Sequence, residues 1–160
     1  MELAALKDVG KHMARVRGFT LIELLVTIAV VIILATIAVP GFQGMMARNQ
    51  LASDYNEVLS GLYFARSEAI KRRGDVTLSA KSDSYSINVD GAVLRSRNDL
   101  LSTISLSEGE SSIEIEFNKL GRIVEGSHCE DGCALTIGYS NADSKTIEIS
   151  SFGSVSRGGS

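Results

Sequence analysis

At 160 residues the chain has room for about one domain and an additional segment. Its 44% apolar and 22% charged residues exclude an intrinsically disordered chain, and a formal charge of -3 offers no basic surplus for nucleic acid. Two cysteines, Cys129 and Cys133, are too few for a disulfide-held scaffold and enough for one clip.

The first 18 residues carry four cations, Lys7, Lys11, Arg15 and Arg17, ahead of an apolar run. That run, 19–39, has 21 residues and a single charge, Glu23. As a helix it is roughly 31 Å long, which matches a hydrocarbon core of about 30 Å. The preceding cations predict that the N-terminus stays in the cytoplasm and that everything after Pro40 is translocated. A cleaved secretory signal fits poorly, because the run is too long and no small-x-small site closes it. A plain membrane anchor fits the length but gives Glu23 no purpose. A carboxylate inside the bilayer costs roughly 2.5–3.5 kcal/mol on insertion scales and normally has a partner. No basic residue lies in the same run, so the partner is created by processing or comes from another chain.

The stretch "RGFTLIELLVTIAVVIILATIAVPGF" resembles the N-terminal signature of type IV pilins and of the pseudopilins of type II secretion. The resemblance implies that residues 1–18 are a prepilin leader, removed by a prepilin peptidase that cuts after Gly18 and methylates the new N-terminus, Phe19. It also implies that Glu23, fifth in the mature chain, meets the N-terminal amine of a neighbouring subunit as helices stack. The physics is consistent with that role. Cleavage creates a cation at the edge of the apolar run, and Glu23 lies about one helical turn along. In a low-dielectric setting the two charges attract strongly and fix an axial register between helices. The 18-residue leader is long for the family, whereas "MARVRG" from Met13 has the compact basic form, so Met13 is the expected start. A tryptic peptide from residues 1–11 in the unprocessed protein would contradict this. Removal of the leader takes away the four cations together with Glu2 and Asp8, leaving 12 basic against 17 acidic residues, a net -5.

Beyond the apolar run the helix is expected to continue. Leu51, Tyr55, Val58, Leu59, Leu62, Ala65, Ala69 and Ile70 recur at helical spacing and form one apolar stripe. Lys71, Arg72 and Arg73 suit the last turn, with Gly74 as the expected C-cap. Pro40, with Gly41 and Gly44 near it, is the expected kink or point of local melting. It reads either as a hinge for passage from bilayer to filament or as a passive bend. After Gly74 the period changes from 3.6 to 2. "TLSA", "YSINV", "AVLRS", "TISLS", "SIEIEF", "GRIV", "ALTIGY" and "TIEISSF" read as short strands separated by Gly, Asp, Asn and Ser. In "SIEIEF" Ile113, Ile115 and Phe117 face inward, and in "TIEIS" so do Ile147 and Ile149. The fold class is therefore α+β: a long N-terminal α-helix, membrane-spanning in its first half, packed by its second half against a C-terminal antiparallel β-sheet domain. The divisions are leader 1–18, transmembrane and assembly helix 19–40, amphipathic continuation 41–73 and β-rich domain 74–160.

Three further segments resemble the GspH/FimT/FimU branch of minor pilins and minor pseudopilins: "LYFARSEAIKRRGDVTLSA", "IEFNKLGRIVEG" and "ISSFGSVSRGG". Read without the resemblance, Arg66 and Glu68 are a solvated helix face, and Gly121-Arg122 is a turn with an exposed charge. Some members of the branch bind DNA through a C-terminal glycine-arginine-x-arginine loop. The matching "GSVSR" here has serines at both arginine positions, leaving Arg157 as the one candidate DNA contact. Phosphate binding needs several accumulated cations, and a net charge of -5 on the mature chain opposes it.

"HCEDGC", His128 to Cys133, lacks a usual zinc spacing and a second ligand pair. For a domain outside the inner membrane, a structural disulfide between Cys129 and Cys133 is the favoured reading. No phosphate-binding loop, metal cluster or nucleophile–base pairing is legible, and the mature chain keeps one histidine, His128. Glu108, Glu110, Glu114 and Glu116 read as outer strand faces. The expected protein is thus not an enzyme and has no cofactor or small-molecule substrate. It reads as a minor type IV pilin of the pilus tip or priming complex, supporting pilus assembly, twitching, adhesion or DNA uptake. The alternative is a minor pseudopilin of a type II secretion system. Its expected partners are other pilins or pseudopilins, the prepilin peptidase and the bacterial inner membrane. The C-terminal domain is expected in the periplasm, and the protein then enters a filament.

Overall fold

The computed structural model describes residues 18–106, 112–140 and 142–158. One α-helix, α1 (Leu21–Arg72), is followed among the described residues by eight strands: β1 (Val76–Lys81), β2 (Ser84–Val89), β3 (Ala92–Arg97), β4 (Thr103–Leu106), β5 (Ser112–Phe117), β6 (Cys133–Gly138), β7 (Lys145–Ile149) and β8 (Val155–Arg157). The described residues divide into two units, the first ending at Val39 and the second beginning at Pro40.

Within the first unit, every side chain from Leu21 to Val39 is exposed, and the helix there is long and apolar enough to cross a membrane. β-branched residues fill much of it and would weaken a helix in water. In lipid the preference reverses, because a helix satisfies all its backbone groups internally. The polar side chains comply: the hydroxyls of Thr27 and Thr36 donate to Leu24 O at 2.8 Å and Ile33 O at 2.7 Å.

The second unit begins at Pro40, which lies inside α1. Its helical stripe Leu51, Tyr55, Val58, Leu59, Leu62, Ala65 and Ala69 is buried. Ile70, expected in that stripe, is 48% exposed instead. All strand pairings are antiparallel, in two four-stranded sheets ordered β3-β2-β1-β5 and β4-β6-β7-β8. Period-2 patterning decides which face points inward. Val76, Leu78, Ala80, Ile113, Ile115 and Phe117 of the first sheet and Ile104, Leu135, Ile137, Ile147 and Ile149 of the second share one core with the helix stripe. Gly61 lets the sheet approach closely, since a Cβ there would lie 2.9 Å from the Tyr85 ring. Tyr55 and Tyr63 pin the helix to the second sheet by donating to Thr146 O at 3.2 Å and Val155 O at 3.1 Å.

Two expected strand boundaries differ. "GRIV" makes a single bridge, Phe117 with Ile123, rather than a strand. Its loop instead covers the free edge of β5, as Val124 N and His128 N donate to Glu116 O at 2.9 Å and Glu114 O at 3.1 Å. "TIEISSF" stops at Ile149, turns, and returns as β8. Glu114 and Glu116 lie on the outward-facing positions of β5, while Glu108 and Glu110 fall outside the described residues.

Candidate functional site

The N-terminal end of α1 is built by Thr20. Its hydroxyl accepts from Glu23 N at 3.3 Å, and its carbonyl accepts from Leu24 N at 3.1 Å, which makes Thr20 the N-cap. Thr20-x-x-Glu23 has the spacing of a capping box, a signal that the sequence itself carries. Glu23 therefore sits in the first turn, where the helix dipole favours a negative charge. Phe19 lies just outside the helix and is 80% exposed; Gly18 beside it is exposed too. The structure thus sets Gly18, Phe19 and Glu23 at one exposed helix end.

The opposite end of α1 is closed differently from expectation. The left-handed residue is Arg73, φ 55°, not Gly74. Gly74 N donates to Ala69 O at 3.3 Å and Arg73 N to Ile70 O at 3.4 Å, the pair of bonds of a Schellman cap. Glu68 is buried, not part of a solvated face, and its carboxylate accepts from Arg72 Nε at 2.7 Å and Lys71 Nζ at 3.1 Å. Those two bonds, Arg72's foremost, hold its carboxyl below the usual glutamate range.

This end also gathers the three segments that resemble the minor-pilin branch. Arg66 Nε donates to Gly121 O at 3.1 Å, tying helix to loop. Gly121, φ 71°, and Gly153, φ 73°, are both buried and touch. A Cβ on Gly153 would fall 2.0 Å from Gly121 O, so neither a side chain nor an ordinary backbone conformation fits there. Asn118 Oδ1 accepts from Leu120 N at 2.9 Å and Arg122 N at 3.1 Å, fixing the loop. The guanidinium of Arg122 stacks on Phe152, 5.7 Å from the ring centroid.

Elsewhere, Glu57 of α1 meets the first sheet. Its Oε1 accepts from Tyr85 Oη and Arg95 Nη2, both at 2.8 Å. Partial burial opposes ionisation of Glu57, but the Tyr85 and Arg95 bonds outweigh it and hold the carboxyl below the ordinary value of 4.5. The Tyr85 phenol is pushed up by burial and by the same bond. Arg157 lines a groove of about 350 Å³ with Tyr55, Asn56, Lys145 and Thr146. Lys145 there sits 5.3 Å from the Tyr55 ring centroid. Cys129 and Cys133 are joined as a disulfide with their Cα atoms 5.0 Å apart. Among the described residues no group of three or more His, Cys, Asp or Glu side chains is placed to hold a metal ion.

A lone exposed helix end with a capped acid, an apolar run and a two-sheet domain define a pilin-type protein. The family described as type II transport protein GspH matches residues 54–153, and the prokaryotic N-terminal methylation motif matches residues 13–39. The chain belongs to the GspH family, as a minor-pilin-like protein. It is similar to two fimbrial proteins of Pseudomonas aeruginosa, at 35% and 34% identity over 109 residues. Each match spans 67% of this chain and 64% of the relative, somewhat less than two thirds of its length. Over 40 residues, 25% of this chain and 26% of the relative, it is 50% identical to fimbrial protein EcpC of Eikenella corrodens. Two crystal structures of the type IV minor pilin FimU of P. aeruginosa share the fold. Their TM-scores are 0.60 and 0.57 at 22% and 21% identity, over 72% and 68% of this chain and 92% of each FimU chain.

Proposed function

We propose that the protein is a minor type IV pilin, a structural subunit of the pilus tip or priming complex rather than an enzyme. The observation that carries this reading is Glu23, the single charge in an exposed apolar helix, one turn from Phe19. Processing after Gly18 by a prepilin peptidase would free the Phe19 amine, which is then methylated and stays cationic. A neighbouring subunit's Glu23 would meet that amine, and the apolar faces from Leu21 to Val39 would pack together. Before assembly the helix would lie in the inner membrane, with the β-rich domain in the periplasm. The similarity to fimbrial proteins and to the FimU fold favours a pilus.

The family described as type II transport protein GspH favours a second reading, a minor pseudopilin of a type II secretion system. Both readings use the same processing and the same helix. A clean gene deletion, complemented with wild type and scored for sheared surface pili and for release of secreted enzymes, separates them. Lost pili with normal secretion supports the pilin. Retained pili with trapped exoproteins would overturn it in favour of the pseudopilin.

A further inference from the structure

We infer that the loop pair around Gly121 and Gly153 is a preformed docking platform for an acid-rimmed apolar surface on a neighbouring filament subunit. The inference rests on the assembly reading above and adds a second contact, in the β-rich domain.

Three elements meet at this platform, and each contact that joins them is buried or short. Arg66 of α1 holds Gly121 O, Gly121 backs onto Gly153, and a Cβ on Gly121 would lie 2.8 Å from Ile70 Cδ1. These contacts explain why "FARSEA", "FNKLGR" and "SSFGSVS" converge: they build a rigid base. What the base presents outward is not explained by folding. Leu120 is 65% exposed and Phe152 68% exposed, and Ile70, which packs at Gly121, is 48% exposed. A folded chain gains nothing from holding three large apolar side chains in water on a fixed scaffold. Phenylalanine and arginine, here stacked as Phe152 and Arg122, are side chains that protein interfaces favour at their centres.

Charge specifies the partner. Lys119 and Arg122 lie on either side of Leu120-Gly121, and Arg73 lies just past the end of α1, three residues after Ile70. Among the described residues none of these three cations makes an ion pair, whereas Lys71 and Arg72 are taken by Glu68. The platform is thus cationic on a chain whose formal charge is -3. Its complement is an apolar patch bordered by carboxylates. Filament contacts are heterologous, one surface of a subunit meeting a different surface of the next, so the two faces need not be alike. A preformed base also spares the ordering cost that a flexible loop would add on binding.

The test uses the full chain in its host. A photo-crosslinking amino acid at position 152 is activated in intact cells, and the adducts are mapped by peptide mass spectrometry. The expected result is one adduct, to a pilin or pseudopilin segment carrying Asp or Glu beside apolar residues. In parallel, Leu120→Ser, Phe152→Ser and Arg122→Glu are scored for entry into the sheared filament fraction and for thermal unfolding. Each is expected to lower entry at least tenfold while melting as wild type does. A Lys substitution at the mapped acid should restore Arg122→Glu. Wild-type filament entry by all three variants would overturn the platform, as would adducts confined to lipid or to non-filament proteins. Glu23→Val in the same assay keeps the two claims apart. If it blocks entry while the three variants do not, assembly stands and the platform falls; if it enters freely, the assembly reading falls.

Discussion

Arg73 holds a backbone conformation that suits glycine better. Its φ of 55° places a Cβ where the following carbonyl crowds it, a strain absent in glycine. Arg73→Gly is therefore expected to raise stability by about 1 kcal/mol in urea unfolding, because the Schellman bonds remain and the strain is relieved. Glu57 gives a prediction in pH. Its folded-state carboxyl titrates below the ordinary 4.5, so its contribution is present above that value and is lost as pH falls through the lower folded one. Glu68 titrates in the same direction. Acid unfolding of the wild type should thus steepen below pH 4.5, and Glu57→Gln should show a smaller drop there while being less stable at pH 7. An unchanged acid limb in Glu57→Gln would mean that Tyr85 and Arg95 do not hold the ionised form.

The elements show where pattern gave way to packing. The stripe from Leu51 to Ala69 and the alternation of "SIEIEF" and "TIEIS" were legible because periodicity reports directly on burial. Ile70 kept the helical period but faces water, since period alone does not say where the covering sheet ends. Glu68 reads as solvated because its partners, Lys71 and Arg72, are exposed near neighbours on the same helix, as they would be on a solvated face, while Glu68 itself is buried. "GRIV" alternates too weakly to distinguish one bridge from a strand. The contact of Gly121 with Gly153 joins residues 32 apart in sequence, so no local signal announces it. Its energetic weight can be measured. Gly153→Ala combines an unfavourable φ with a clash against the Gly121 carbonyl and should cost at least about 2 kcal/mol. Loss of under 0.5 kcal/mol, within the usual range for unconstrained surface positions, would show that the two loops are not locked.

At the scale of the whole molecule, the N-terminal segment was the most legible part. An acid in a charge-free apolar run has few physical explanations, and each requires a partner outside that run. The β-rich domain was legible as an architecture but not as a surface, because exposed groups obey no period. DNA binding belongs to this scale as well. Arg157 and Lys145 share a groove, but two cations on an acidic chain make few phosphate contacts. A gel shift of the detergent-solubilised protein at low salt should therefore show no submicromolar complex, and one that does form would reverse that judgement.

In the function proposed, this chain is a filament subunit whose register is fixed by Glu23. Its most direct test is the distribution of Glu23→Val between the inner membrane and the sheared filament fraction, with the N-terminal peptide analysed by mass spectrometry. The expected variant protein is inserted, cut after Gly18 and methylated at Phe19, yet at least about tenfold depleted from filaments, as loss of a desolvated charge pair worth over about 1.4 kcal/mol requires. Wild-type entry of Glu23→Val into filaments would contradict it.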